Sequence, residues 1–198
     1  MTEFQSFFGS LAGILAIAGY VPYIAAIVWG KARPTKSTWI VWTLVNCVIA
    51  LGMYREGALS AQITVFAAGN LSILILSLFR GDPGWTTRDT LCCIGAAVGI
   101  GFMFAYPLAS IFIGLAVNAF ATWPTLAKAW REPEKESALA WGTTFSSSIA
   151  ATLAAMPEWS LASAAQPLVF LALSGSILFV VIFRPLFWGV SAFFRPGP

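Results

Sequence analysis

The sequence predicts an all-α membrane protein in which seven transmembrane helices form two parallel three-helix repeats joined by one linker helix, a 3+1+3 layout. Three observations lead there. Of 198 residues, 59% are hydrophobic and only 10% charged, more apolar surface than a soluble domain of this size can bury. The segment AQITVFAAGNLSILILSLFR (61–80) aligns without gaps on AQPLVFLALSGSILFVVIFR (165–184), with ten of twenty positions identical. Ten of the eleven Lys and Arg residues fall at one end of the helices that the hydropathy defines.

Each span follows from an uncharged run. Such runs cover 4–30, 37–54, 57–79, 90–127, 137–157 and 159–183, and about 20 apolar residues cross the hydrocarbon layer. The run from Thr90 is long enough for two spans, with Pro107 marking the turn, because proline lacks the amide donor and biases its predecessor away from helix. The count is seven. Gly95 and Gly99 give the linker helix a small-xxx-small face, open either to close helix contact or to lipid.

The repeat extends upstream. Pro22 matches Pro124, and after a three-residue deletion Pro34, Lys36 and Trp42 match Pro133, Lys135 and Trp141. The expected units are therefore a first repeat over 4–80, a linker helix over 90–105, a second repeat over 107–184 and an interfacial tail over 185–198. One intervening span preserves direction, so the repeats run parallel, as in transporters that place a site between two halves. Duplicated units of this kind bury a shared core by packing on one another.

Orientation rests on Lys and Arg alone. Lys31, Arg33 and Lys36 follow the first span, Arg80 and Arg88 the third, Lys128, Arg131 and Lys135 the fifth, and Arg184 and Arg195 the seventh; only Arg55 lies at the opposite end. The expectation is a multi-pass cell-membrane protein with its amino terminus outside and its carboxy terminus in the cytoplasm. Thr2-Glu3 before the first span offers no basic n-region, so that span reads as a retained helix and not a signal peptide. Cys47, Cys92 and Cys93 read as small core residues.

The chain has no histidine, and no Asp, Glu, Lys or Arg stands near the middle of a span. Proton coupling asks for a titratable group at depth, and a hydrolase asks for a base near its nucleophile, which Ser146, Ser147 and Ser148 lack. The spacing of Cys92-Cys93 and Cys47 does not suit zinc. No enzymatic role, cofactor or nucleic-acid partner is expected. What remains at depth is uncharged polarity, which hydrocarbon does not tolerate without partners. Asn70 lies mid-span beside Gly69, and its match in the second repeat is Ser174. Asn46 and Asn118 read as interhelical hydrogen-bonding groups, with Asn46 also a neighbour of the Asn70 site. Trp42 and Trp141 open the second helix of each repeat, where an indole serves either a polyhydroxylated ligand or the membrane interface. Pro22 and Pro124 sit inside helices, as gating hinges or static kinks.

The seven-span layout, the GYVPYI stretch with its Pro34-Thr35-Lys36-Ser37 loop, and the TWPTL stretch with its Pro133 loop resemble the SWEET family of sugar facilitators within the PQ-loop superfamily. The closest likeness is to uncharacterised bacterial members. The resemblance covers almost the whole chain. It implies a Pro-Gln pair near the end of the first helix of each repeat; here Tyr23 and Thr125 stand at the glutamine positions. It also implies an asparagine on each third helix facing a sugar pocket, a place Asn70 keeps and Ser174 replaces.

The functional expectation is a SWEET-like uniporter of a small neutral solute, such as a sugar, binding at Asn70, Ser174, Trp42, Trp141 and Asn46 and rocking about Pro22 and Pro124. Its partners are that solute and the lipid bilayer, with a homo-oligomer or larger complex also compatible. The alternatives are a non-transporting accessory subunit of a membrane complex, which predicts a plugged centre, and a receptor or sorting protein on the same scaffold.

Overall fold

The computed structural model describes residues 2–193, and those residues are helical with no strand. Seven α-helices follow in order: α1 Glu3–Val28, α2 Lys36–Arg55, α3 Ala61–Arg80, α4 Thr87–Met103, α5 Pro107–Arg131, α6 Ala138–Ala155 and α7 Leu161–Phe193. Short 3-10 turns at Pro133–Lys135 and Met156–Glu158 flank α6. Of the expected tail, 185–193 continue α7, and 194–198 lie outside the described residues.

Helix ends follow local chemistry. Thr2 with Gln5 and Thr86 with Asp89 form capping boxes at the starts of α1 and α4, satisfying amides that the first turn leaves without intrahelical partners. Ser60 and Ser137 cap α3 and α6 through their hydroxyls. Pro107 occupies the first turn of α5, where a missing N–H is harmless, so the long apolar run divides where its proline predicts. Gly30 and Gly57 end α1 and α2 with φ of +73° and +67°, conformations that a side chain would strain.

Five helices are long and apolar enough to cross a membrane: α1, α2, α3, α5 and α7, the last over Leu161–Arg184. The other two expected spans fall short on length or composition. At 17 residues α4 rises about 25 Å, and its first turn holds Arg88 and Asp89. In its 18 residues α6 carries Thr143, Thr144, Ser146, Ser147, Ser148 and Thr152. The outer surface of the bundle is apolar, with Ile14, Leu78, Leu91 and Ile182 all exposed. A surface of that kind suits lipid and not water, and the protein is a helical membrane protein.

Packing closes six helices into a ring: α1 on α3, α3 on α2, α2 on α5, α5 on α7, α7 on α6, and α6 back on α1. The fourth helix stands outside the ring, against α2 and α5. Its small residues face those neighbours: a Cβ on Gly95 would lie 2.5 Å from Val117, and one on Gly99 2.8 Å from Val48. The choice left open by sequence between helix contact and lipid is thus decided in favour of contact. The largest apolar cluster joins Val45, Val48 and Ile49 of α2 to Ile111 and Leu115 of α5 and to Ile63 and Phe66 of α3.

Candidate functional site

A cavity of about 540 Å³ occupies the middle of the ring. All six ring helices line it and α4 contributes nothing. Asn70, Ser174, Trp42, Trp141 and Asn46, drawn from four helices, all lie on its wall. The cavity reaches solvent at one end, where Arg33, Thr35 and Lys128 of its lining are exposed.

The opposite end is sealed. Phe66 of α3 stacks on Phe170 of α7, ring centres 5.4 Å apart and planes 22° apart. Farther from the mouth, Gln166 Nε2 donates to Gln62 Oε1 at 3.0 Å, and Gln62 Nε2 donates to Ser147 Oγ and Ser148 Oγ, each at 3.0 Å. Ser147 Oγ donates onward to the Ala12 carbonyl at 2.7 Å, and Ser60 Oγ donates to Gln166 Oε1 at 3.4 Å. Both glutamines have 0% exposure. Every oxygen of this cluster has a partner, so polar groups at this depth are tolerated. Gln62 and Gln166 are 104 residues apart, and so are Phe66 and Phe170 (170 − 66 = 104), the spacing of the sequence repeat.

Asn70 is buried at 1% exposure and holds two neighbouring helices. Tyr20 Oη of α1 donates to its Oδ1 at 2.6 Å, and its Nδ2 donates to the Trp42 carbonyl of α2 at 3.3 Å. A side-chain amide carries two N–H groups; the second has no partner among the described residues. Tyr20 approaches so closely because position 69 has no side chain: a Cβ there would lie 2.8 Å from the ring. Tyr20 also packs edge-on against Phe66, linking site to seal.

Ser174 behaves differently. Its Oγ donates to the Phe170 carbonyl of its own helix at 2.5 Å, leaving only oxygen lone pairs for anything in the cavity. Asn46 is 4% exposed and its Oδ1 is buried with no hydrogen-bond partner among the described residues. Such an orphan acceptor at a cavity wall is a place for a ligand donor or water. Asn118, expected to bond between helices, meets only Thr122 on its own helix, and both line the cavity.

Aromatic rings form one wall: Tyr23 stacks on Trp39 at 5.5 Å, and Trp39 meets Trp42 edge-on at 5.6 Å. Across the mouth, Trp141 Nε1 donates to Glu136 Oε2 at 3.1 Å, while Glu136 Oε1 takes the Lys128 ammonium at 2.9 Å. Pro22 lies exposed inside α1 and Pro124 half-buried inside α5, and both helices run through unbroken.

Sequence reasoning missed Tyr20 and Thr122, and it matched Gln62 with Gln166 as polar groups at depth without giving the pair a role. Two signals were present. Gln62 and Gln166 are identical at matched positions, and Tyr20 and Thr122 share the 102-residue spacing of Pro22 and Pro124 (122 − 20 and 124 − 22). No family model matches the chain, and no solved structure matches it.

Proposed function

We propose that this protein is a facilitator of a small neutral, polyhydroxylated solute, working by alternating access between two parallel three-helix repeats, α1–α3 and α5–α7, with α4 as the linker. The observation that carries the reading is the central cavity, sealed at one end and open at the other, with an unpartnered asparagine oxygen on its wall. Its volume lies within the range of small-molecule sites, which pair apolar and aromatic walls with a few placed polar groups. An accessory subunit predicts a centre filled by Phe and Leu; the open cavity favours transport instead.

The contact pattern supports the repeat arrangement. In each proposed repeat the third helix packs on both the first and the second, α3 on α1 and α2, α7 on α5 and α6. The cross-contacts α1 on α6 and α2 on α5 are equivalents of one another. Arg80 caps the carbonyls of Ile27 and Val28 at the end of α1, and its match Arg184 lies 4.9 Å over Trp130 at the end of α5.

In this reading the open mouth faces the cytoplasm, where the basic loops lie. The solute bonds to Asn70 and Asn46 and stacks its C–H faces on Trp42 and Trp141. Turnover then requires the seal to part. Separating Gln62 from Gln166 and unstacking Phe66 from Phe170 costs about 1–3 kcal/mol, a bias that a ligand favouring the other state overcomes. Pro22 and Pro124 free the carbonyls one turn earlier and are the bending points. With no Asp, Glu, Lys, Arg or His in the middle of the ring lining, uniport is the economical mechanism.

The test is uptake of radiolabelled glucose, sucrose and glycerol by liposomes containing the purified protein. Uptake of at least one is expected above empty liposomes, and Asn70→Leu, similar in volume but without donor or acceptor, is expected to abolish it. Full transport by that variant sinks the assignment of Asn70; no transport of any neutral solute sinks the function.

A further inference from the structure

We propose that the lipid-facing groove between α5 and α7 is a specific site for one anionic phospholipid, with its phosphate held by Arg88 and Arg131 and an acyl chain lying along Trp123, Trp130 and Phe179. The groove has a volume of about 710 Å³ and is apolar except at Arg131 and Ser176. It adjoins a hollow of about 400 Å³ where Arg88, Lys128 and Arg131 converge. Trp123, Ala127 and Arg131 line both, so apolar trough and cationic hollow form one continuous surface. That is the shape of an amphiphile: chain in the trough, head in the hollow.

The charges match. Lys128 is engaged by Glu136 at 2.9 Å. Arg88 lies over Phe120 at 5.7 Å, and its Nε is buried without a hydrogen-bond partner. Neither Arg88 nor Arg131 has a hydrogen bond or ion pair to another described residue. One carboxylate, Glu132, also lines the hollow. Asp89, next to Arg88, is committed to the α4 cap, its Oδ2 accepting from the amide and hydroxyl of Thr86 at 2.7 Å each. The start of α4 adds the positive end of a helix dipole. Two guanidiniums without an ion-pair partner among the described residues, against one carboxylate, leave the hollow cationic, and guanidinium is the cation best shaped for phosphate oxygens.

The corresponding face of the first half lacks these features. By the 102-residue spacing, Val21 and Val28 replace Trp123 and Trp130, and Trp29 replaces Arg131 (131 − 29 = 102). Arg88 sits on α4, which has no duplicate. General lipid solvation calls for apolar side chains on both faces; it does not call for two arginines beside a tryptophan-lined trough on one.

The experiment is native mass spectrometry of the full chain in detergent, offered an equimolar mixture of phosphatidylglycerol and phosphatidylcholine with identical chains. Preferential retention of phosphatidylglycerol is expected. The double variant Arg88→Gln/Arg131→Gln is expected to lower the ratio of the two adducts about twenty-five-fold, each of the two cations near a membrane surface being worth roughly a fivefold change. Arg88→Lys/Arg131→Lys retains the charge and should keep most of the preference, which separates a lost site from a misfolded protein. Ser176→Trp, filling the trough with both arginines intact, is expected to reduce retention of both lipids. Lys31→Gln, a basic loop residue outside the groove, should leave the ratio unchanged. Equal ratios in wild type and the glutamine double variant, or an equal loss in Lys31→Gln, overturn the proposal. Displacement of phosphatidylglycerol by millimolar inorganic phosphate overturns the lipid as the occupant.

Discussion

The two ends of the central cavity are built on opposite principles. At the sealed end, like meets like: Gln62 bonds to Gln166 and Phe66 stacks on Phe170, matched positions of the sequence repeat touching each other. At the mouth and mid-depth, matched positions stand apart, and they differ in residue or in partner. Asn70 stands where the repeat has Ser174, Tyr20 where it has Thr122, and Trp141 is clamped by Glu136 while the Trp42 indole N–H has no partner among the described residues. Residues that contact their own counterparts are constrained to be self-complementary, as in an isologous interface. Residues held apart by a cavity carry no such constraint and are free to diverge.

The sharpest way to break this comparison is at the seal. Gln62→Leu leaves the buried Gln166 amide without its acceptor, and we expect a loss of about 1–3 kcal/mol, the penalty of an orphaned buried polar group. The double variant Gln62→Leu/Gln166→Leu removes both ends of the bond and should recover much of that loss. Thermal unfolding in detergent measures both. Additive losses would mean that the pair is not one unit.

Next in size is Gly69→Ala. A Cβ there lies 2.8 Å from the Tyr20 ring, so the ring must move and its 2.6 Å bond to Asn70 is lost. Overpacking of this kind costs about 1–3 kcal/mol. Both Gly69→Ala and Tyr20→Phe, which removes only the hydroxyl, are expected to lower uptake, the latter with a smaller effect on stability. If Gly69→Ala matches wild type in both, Tyr20 does not position Asn70.

The smallest effect is expected at the mouth. Glu136→Gln discards the Lys128 ion pair but keeps an acceptor for Trp141 Nε1. Lys128 is half exposed, so the change should be below about 1 kcal/mol and weaken further with salt. A larger loss, measured by unfolding at low and high ionic strength, would make the mouth as structural as the seal.

Much of the fold was legible because it is local chemistry. Pro107 divided the long apolar run, and uncharged runs became helices. The five proposed ligand residues share one cavity, a grouping that rested on the repeat, on Asn70 lying mid-span and on the resemblance to the SWEET family. The reading of Asn118 as an interhelical bond did not survive, and Asn46 kept an orphan oxygen where the same reading wanted a partner.

From the sequence alone came the helices, their ends, the membrane environment and the internal match, all properties of composition and short-range order. The closed ring, the exclusion of α4, the glutamine pair and the Tyr20–Asn70 bond were decided only in the tertiary structure. The reason is physical. A soluble helix advertises its inward face as an apolar stripe, whereas a helix apolar all round has no such stripe to read. Which amide meets which partner then depends on rotation and register between packed helices. Those are set by close contacts such as Tyr20 on Gly69 and Val117 on Gly95.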